Sequence, residues 1–226
     1  MKIGLIGSGG VARTLAKKFS SDGYEVMIGT RDVAESLARN EPDASGNPPL
    51  GQWLAEHPEI KLENFEDTAA FGEVLFLATV GLAVLNAIDL ADKDNFDGKI
   101  VVDLTNPLDF SEGIPPKFAA SPGNSLGEQI QRYIPTARVV KAFNTIGSHI
   151  IVNPKREEGT PDLLIAGNDP SAKQWVTDLA LSWGWNSTVD LGGIENAYWL
   201  EAHAMLWIVY AFKNDWWDHA FKFLRK

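Results

Sequence analysis

The chain has 226 residues, of which 45% are hydrophobic and 22% are charged, and its formal net charge at pH 7 is −10. This composition is typical of a globular protein of about one domain and excludes disordered and fibrous classes. The negative charge disfavours nucleic acid and anionic membranes as partners, because both require a basic face.

Cysteine usage and histidine spacing bear on location and metal binding. The chain has no cysteine, which excludes disulfides, thiolate metal sites and a cysteine nucleophile and is consistent with a reducing cytoplasm. None of its four histidines has metal-ligand spacing with another histidine or a carboxylate pair, so we expect no metal site. The longest uncharged apolar stretch, 202–212, is well short of the ~20 residues that span a bilayer. We therefore expect a cytoplasmic protein without membrane insertion.

The first elements in the chain form the most informative pattern. An apolar strand over 1–6 meets a glycine turn, and an amphipathic helix follows from about Val11 to Ser21. Gly7 and Gly9, with Ala12 in the third place, fit the dinucleotide fingerprint, in which glycines permit a tight turn and close approach of the backbone to a pyrophosphate. The phosphates would bind free N–H groups at the helix N-terminus.

The second strand, over 24–28, ends in Gly29-Thr30-Arg31-Asp32. An Asp or Glu at this point usually binds a free ribose 2′-hydroxyl, whereas an Arg accommodates a 2′-phosphate. Thr30 and Arg31 therefore favour NADP over NAD, with charge-assisted hydrogen bonds from Arg31 to the phosphate. The alternative is that Arg31 is a solvated loop residue and Asp32 is the ribose ligand.

The remaining elements alternate in the same way. A helix over 33–40 precedes a polar segment, 41–49, that contains three prolines and is interpreted as a surface insertion. A short helix over 50–56 follows, and further strands are predicted over 60–62, 73–80, 99–104, 138–143, 163–167 and 186–191, with a helix opening at 169–171 and a long helix over 195–212.

Strands that alternate with helical stretches predict an α/β fold of Rossmann type, with a doubly wound, mostly parallel sheet and helices on both faces. We expect one domain over 1–226, in which 1–150 is the nucleotide-binding core and 151–226 is a short strand and helix extension that caps the same sheet. Ligands of such sheets bind outside the carboxyl ends of the strands.

The strand ends and the glycine turn give the candidate site. The expected cofactor-binding residues are Gly7, Ser8, Gly9, Gly10, Val11, Thr30, Arg31, Thr79, Val80, Asn106, Pro107, Ala142, Phe143 and Asn144. We expect Asp103 to stabilise the turn at 105–107 through local backbone hydrogen bonds. His149 either faces a second ligand or begins a helix.

The C-terminal helix is apolar around most of its circumference, which is typical of buried helices. Its aromatic residues predict a homodimer interface, one wall of a ligand pocket, or plain core packing. Glu201 within it would either orient a polar partner across the interface or be exposed.

Several motifs together resemble the coenzyme F420-dependent NADP oxidoreductase family. They are the segments 7–12, 29–31, 101–107, 138–145 and 190–197, of which Val-Lys-Ala-Phe-Asn-Thr and Asp-Leu-Gly-Gly are the most specific. The resemblance implies a hydride transfer between NADPH and a deazaflavin whose ring lies over the nicotinamide, without an obligatory catalytic acid or base. The same fold is similar to the flavin-using reductase domains of membrane ferric reductases, so the acceptor is F420, a flavin or another small molecule, and a ferric or flavin reductase is one alternative function. An NADP-binding redox sensor without turnover is the alternative from a different functional class.

Overall fold

The computed structural model of the protein describes residues 1–43 and 46–224. Ala44 and Ser45, which belong to the predicted insertion, lie outside the described residues, as do the last two residues of the chain.

Ten strands and nine helices are assigned in the described chain. The strands are β1 (Lys2–Ile6), β2 (Glu25–Thr30), β3 (Lys61–Asn64), β4 (Val74–Leu77), β5 (Ile100–Asp103), β6 (Leu108–Asp109), β7 (Lys117–Phe118), β8 (Arg138–Ala142), β9 (Leu163–Gly167) and β10 (Thr188–Asp190). The helices are α1 (Gly10–Ser21), α2 (Val33–Ala38), α3 (Leu50–Ala55), α4 (Phe65–Phe71), α5 (Val84–Leu90), α6 (Leu126–Tyr133), α7 (Ser148–Ile151), α8 (Pro170–Ser182) and α9 (Ala197–Asn214).

Eight strands form one sheet in the order β10-β9-β8-β5-β4-β1-β2-β3. All neighbours pair in parallel except β8 and β9, which are antiparallel. The predicted Rossmann-type, mostly parallel sheet is therefore confirmed. The strand order reverses between β1 and β4, and in such sheets this switch point is where ligands bind.

Both faces of the sheet are covered by helices, which is why its central strands are continuous apolar runs. Successive residues of β5 face opposite layers. Val101 packs in a cluster with Ile88 and Ile130 of α5 and α6, whereas Val102 belongs to the cluster that contains Phe19 of α1 and Val176 of α8.

Some predicted boundaries are too long, and each has a local cause. The fourth strand ends at Leu77, because the chain turns into a short 3₁₀ helix that begins at Gly81, where a Cβ would lie only 1.8 Å from the Asn106 carbonyl oxygen. The helix predicted over 33–40 ends at Ala38, because Arg39 has extended backbone with ψ of 121°. The two-stranded sheet β6–β7 was not predicted, since each strand has only two residues.

Within the described ranges, no helix combines the length and the apolar character that crossing a bilayer requires.

Candidate functional site

The glycine loop between β1 and α1 is shaped by two glycines with different roles. Gly7 has φ of +129°, and a Cβ there would lie 2.4 Å from the Ala78 carbonyl oxygen, so only glycine fits. Gly9 is the N-cap of α1 and provides no side-chain cap. A Cβ on Gly9 would meet nothing within 4 Å. The first N–H groups of α1 are thus approached through open space, as an anion-binding helix N-terminus requires.

A cleft of about 520 Å³, here called the glycine-loop cleft, lies at the carboxyl ends of β1, β2 and β4. Its lining residues are Gly7, Ser8, Gly9, Thr30, Arg31, Asp32, Glu35, Ser36, Arg39, Phe65, Ala78, Thr79, Val80, Ala83, Asn86 and Ala87. It brings together seven of the predicted residues, Gly7, Ser8, Gly9, Thr30, Arg31, Thr79 and Val80.

The end of β2 gives this cleft hydroxyl and guanidinium groups. The buried hydroxyls of Thr30 and Ser36 are 2.7 Å apart. Arg31 is exposed, and no ion pair or hydrogen bond engages its side chain within the described chain. Asp32 caps α2, since its Oδ1 accepts from the Glu35 N–H at 2.8 Å, so one of its oxygens has a structural task.

A second cleft of about 500 Å³, the aromatic cleft, opens beside the glycine loop and the ends of β5 and β8. Its lining residues are Val11, Leu104, Asn106, Leu108, Phe110, Pro116, Phe143, Asn144, Ile146, Ile151, Trp207, Ile208, Phe212 and Trp217. Four predicted residues, Val11, Asn106, Phe143 and Asn144, line it, and none of its lining residues in the described chain is charged.

Asn106 and Asn144 form a reciprocal pair in the wall of the aromatic cleft. Asn106 Nδ2 donates to the Asn144 carbonyl oxygen at 2.8 Å, and Asn144 Nδ2 donates to Asn106 Oδ1 at 2.9 Å. The preceding Phe143 has φ of +61° and packs beside Trp183, with ring centroids 5.9 Å apart. A non-glycine residue in this region of φ is a strained position of the kind that clusters at functional sites.

Four buried side-chain atoms have no hydrogen-bond partner among the described residues. Arg156 Nε and His219 Nε2 lie outside the predicted site, whereas Thr79 Oγ1 and Asn144 Oδ1 belong to predicted site residues. Buried polar atoms are normally paired, so unpaired ones at a cleft are expected to meet a ligand. Together with the open space at Gly9, they fit a dinucleotide that crosses from the glycine-loop cleft to the aromatic cleft.

Three predicted residues line neither cleft. Ala142 is fully buried in β8, and Pro107 is buried with its carbonyl oxygen accepting from the Ala119 N–H. Gly10 faces the Asn47 side chain, whose Nδ2 lies 2.9 Å from the position a Cβ would take. We keep the backbone of Gly10 as a candidate phosphate ligand, because it belongs to the first turn of α1.

A third cleft, of about 610 Å³, adjoins the glycine loop and is called the proline-segment cleft. Its lining residues are Ser8, Gly9, Arg13, Ser36, Arg39, Asn40, Glu41, Pro42, Asp43, Pro48, Pro49 and Leu50. Arg13 links its two sides, since Nε donates to the Ser8 carbonyl oxygen and Nη1 donates to the Pro48 carbonyl oxygen. Sequence reasoning missed this cleft, because nothing in the residue pattern shows that residues 41–43 and 48–49 lie next to the glycine loop.

Lys141, Asp103 and Glu201 form a buried ion cluster next to the strand ends. The position of Glu201 in this cluster corrects the expectation for that residue. Glu201 is neither exposed nor at an interface: it is fully buried, accepts from the N–H groups of Leu126 and Gly127, and lies 3.0 Å from Lys141 Nζ. Asp103 also pairs with Lys141, at 2.8 Å. Burial by itself would lower the pKa of Lys141, but the charges of Asp103 and Glu201 outweigh it and raise that pKa.

The predicted local role of Asp103 is confirmed. Its Oδ1 accepts from both the N–H and the hydroxyl of Thr105, at 2.9 and 2.6 Å. The carboxylate therefore holds the turn that carries Asn106 while it pairs with Lys141.

His149 lies in the first turn of α7, as one of its two interpretations predicted, and it is not among the residues that line the aromatic cleft. Its Nε2 is 2.7 Å from Asp218 Oδ1. Arg156 binds the same carboxylate, and these contacts, that with His149 first, lower the pKa of Asp218.

Comparisons with known proteins identify the family to which the chain belongs. The sequence model of the family "NADP oxidoreductase coenzyme F420-dependent" matches residues 2–107. The F420-dependent NADP reductase of Methanocaldococcus jannaschii is 30% identical over 89% of this chain and 88% of its own length. A crystal structure of a candidate F420-dependent NADP reductase from Arthrobacter sp. FB24 is 41% identical, covers both chains completely and superposes with a TM-score of 0.93.

More distant matches share part of their length or the fold alone. Metalloreductase STEAP3 of Rattus norvegicus is 29% identical over 89% of this chain, which spans only 36% of that relative. A reductive aminase from Aspergillus terreus in complex with NADPH is 16% identical with a TM-score of 0.62, which shows the shared fold. The chain belongs to the coenzyme F420-dependent NADP oxidoreductase family.

Proposed function

We propose that this NADP-dependent oxidoreductase transfers a hydride between NADPH and a planar acceptor, such as coenzyme F420 or a flavin, that binds in the aromatic cleft. The observation that carries the proposal is the position of that cleft. It is apolar, large enough for a ring system, and walled by Val11 at the start of α1 and by the Asn106–Asn144 pair.

The residues that would hold NADP(H) are supplied by both clefts. The N–H groups at the start of α1 would bind the pyrophosphate, and Thr30 and Arg31 would bind the 2′-phosphate. The unpaired Thr79 Oγ1 and Asn144 Oδ1 are suited to the polar groups of the nicotinamide half. When bound, NADPH supplies the hydride, and the acceptor takes it up with a proton from solvent.

The protein's contribution to this chemistry is the alignment of the nicotinamide with the acceptor ring. Trp207 and Trp217 form part of the aromatic cleft with ring centroids 5.6 Å apart. Trp207 is held by a hydrogen bond from its Nε1 to the His219 carbonyl oxygen, at 2.9 Å. Fixed indole rings are favourable surfaces for a planar ligand, since offset and edge-on aromatic contacts add to burial of apolar area.

The composition of the aromatic cleft favours a planar ring over a ferric chelate as acceptor. Ferric citrate presents charged carboxylates around the metal, and burial of an unpaired charge is costly, whereas a flavin or deazaflavin can insert its ring and leave its anionic chain in solvent. The described cleft offers amides and apolar groups and no cation to pair with the citrate carboxylates.

The exposed face of α9 supports a homodimer as a further part of the proposal. Trp199, Leu206, Val209 and Tyr210 are 47–60% exposed, and their spacing places them along one side of the helix. Aromatic and aliphatic residues in such a stripe are typical of the core of a homodimer interface. Sedimentation of the purified protein would test this.

The activity is tested by mixing NADPH with F420, with FMN and with ferric citrate and following nucleotide oxidation by absorbance. We expect turnover with F420 or FMN and little with ferric citrate. Tight binding of NADPH without oxidation by any of the three would instead support a redox sensor.

A further inference from the structure

Arg39 occupies the junction of two clefts, and no motif in the sequence indicates a role for it. It lines both the glycine-loop cleft and the proline-segment cleft, together with Ser8, Gly9 and Ser36. Arg31, which the sequence singles out, lines only the first of the two.

The backbone explains how Arg39 comes to lie there. The six-residue helix α2 ends at Ala38, and Arg39 follows it with extended backbone. Its guanidinium remains within reach of the last turn, where Nη2 pairs with Glu35 Oε1 at 2.5 Å. The side chains of Arg39 and Glu35 are 61% and 62% exposed. An exposed pair of this kind stabilises little, so it is readily exchanged for a better partner.

The two buried hydroxyls beside it leave one donor free. When Thr30 and Ser36 bond to each other across 2.7 Å, one hydroxyl donates and the other accepts. The accepting hydroxyl keeps its own proton for a third group. Both residues line the glycine-loop cleft, so this donor is available to an anion bound there.

The charges in this part of the cleft show why a single arginine is insufficient. Arg31 and Arg39 are opposed by Asp32 and Glu35, all four of which line the cleft. With Arg39 held by Glu35, a 2′-phosphate dianion would face one available cation and the Asp32 carboxylate. Release of Arg39 supplies a second guanidinium, and guanidinium groups bind phosphate through paired, charge-assisted hydrogen bonds.

We infer that Arg39 is the second cation of the 2′-phosphate site, and that Glu35 holds it when the nucleotide is absent. Arg39 is therefore a specificity-determining residue: it favours NADP(H) over NAD(H) without contact with the reacting atoms. This inference concerns nucleotide binding only, so its test does not depend on the acceptor or on turnover.

The experiment compares two ligands that differ only in the 2′-phosphate, 2′,5′-ADP and 5′-AMP, by calorimetric titration at fixed ionic strength. We expect Arg39→Ala to weaken 2′,5′-ADP about tenfold and to leave 5′-AMP unchanged, since one charge-assisted contact is lost. The matched control is Arg132→Ala, which removes an exposed arginine from α6 and should change neither affinity. Equal loss for both ligands, or no loss for either, would overturn the inference.

Glu35→Gln tests the holding role separately. We expect Glu35→Gln to strengthen 2′,5′-ADP binding about threefold, because Arg39 then binds the phosphate without first breaking its ion pair with the Glu35 carboxylate. In the Arg39→Ala background, Glu35→Gln should increase the affinity for 2′,5′-ADP by a smaller factor. Such coupling between the two substitutions is expected if Arg39 exchanges Glu35 for the phosphate as its partner. An undiminished gain would show that Glu35 acts by repulsion alone and would contradict the holding role.

Discussion

Lys141 Nζ lies 3.0 Å from Glu201 Oε1 and thereby joins β8 to α9, and residues of α9 and residues that directly follow β8 line the aromatic cleft. Both side chains are fully buried. Asp103 completes the cluster, and through Thr105 it reaches the turn that carries Asn106. The cluster therefore connects β5, β8 and α9, and residues of α9 or just after these strands line the aromatic cleft.

Removal of the lysine should be strongly destabilising. Lys141→Met leaves two carboxylates buried without their cation, and loss of one partner of a buried ion pair typically lowers the free energy of unfolding by about 3–5 kcal/mol. Urea unfolding followed by circular dichroism measures this. Lys17→Met, a change at an exposed position of α1, is the control and should cost less than about 0.5 kcal/mol. A similar small effect at both positions would show that the cluster contributes little.

The free energy of unfolding should also fall at alkaline pH, because Lys141 loses its proton there. Because the folded state raises the pKa of Lys141 above its ordinary value of 10.5, its stabilising contribution is fully present below that pH and is lost as pH rises through the folded-state pKa. The free energy of unfolding of the unmodified protein should therefore decrease more steeply above pH 10.5 than that of Lys141→Met. Parallel pH profiles for the two proteins would contradict this assignment.

Cofactor choice should depend on Arg31. Arg31→Ala should weaken NADPH binding at least about tenfold more than NADH binding, because a charge-assisted contact to the 2′-phosphate is lost. Asp32→Asn is the companion variant: it retains a helix-capping side chain and should leave NADH affinity unchanged. A large loss of NADH affinity in that variant would favour Asp32 as the ribose ligand.

The pyrophosphate of the nucleotide should bind in the open space next to Gly9. Gly9→Val should abolish nucleotide binding without unfolding the protein, because a Cβ at this position meets no protein atom within 4 Å and the side chain would occupy the approach to the N-terminus of α1. Gly51→Ala in α3, where a Cβ makes only ordinary contacts from 3.6 Å, is the control. Unimpaired binding in the Gly9 variant would place the phosphates elsewhere.

The predictable parts of this protein are those fixed by local pattern. The glycine turn and the apolar strands follow from residue spacing, so the parallel sheet and the residues at its carboxyl edge could be anticipated. Glu201 was misjudged, because its partner Lys141 is 60 positions away in the chain and pairing of two buried charges leaves no local signal. The role inferred for Arg39 was also missed. The sequence predicts a helix through residue 40, whereas α2 ends at Ala38 and Arg39 lies at the cleft with extended backbone.

The most direct measurement for the proposed function is the turnover of Leu108→Trp with the best acceptor, alongside its affinity for NADPH. The enlarged side chain would fill part of the aromatic cleft, and displacement of a reactant by about 1 Å can cost about a hundredfold in rate. Leu181→Trp, on the exposed side of α8, is the matched control. We predict that kcat falls about a hundredfold in Leu108→Trp alone while NADPH affinity changes little, because Leu108 lines the aromatic cleft and is not among the residues assigned to the nucleotide. Unchanged turnover, or a collapse of NADPH affinity together with turnover, would contradict the assignment of the aromatic cleft to the acceptor.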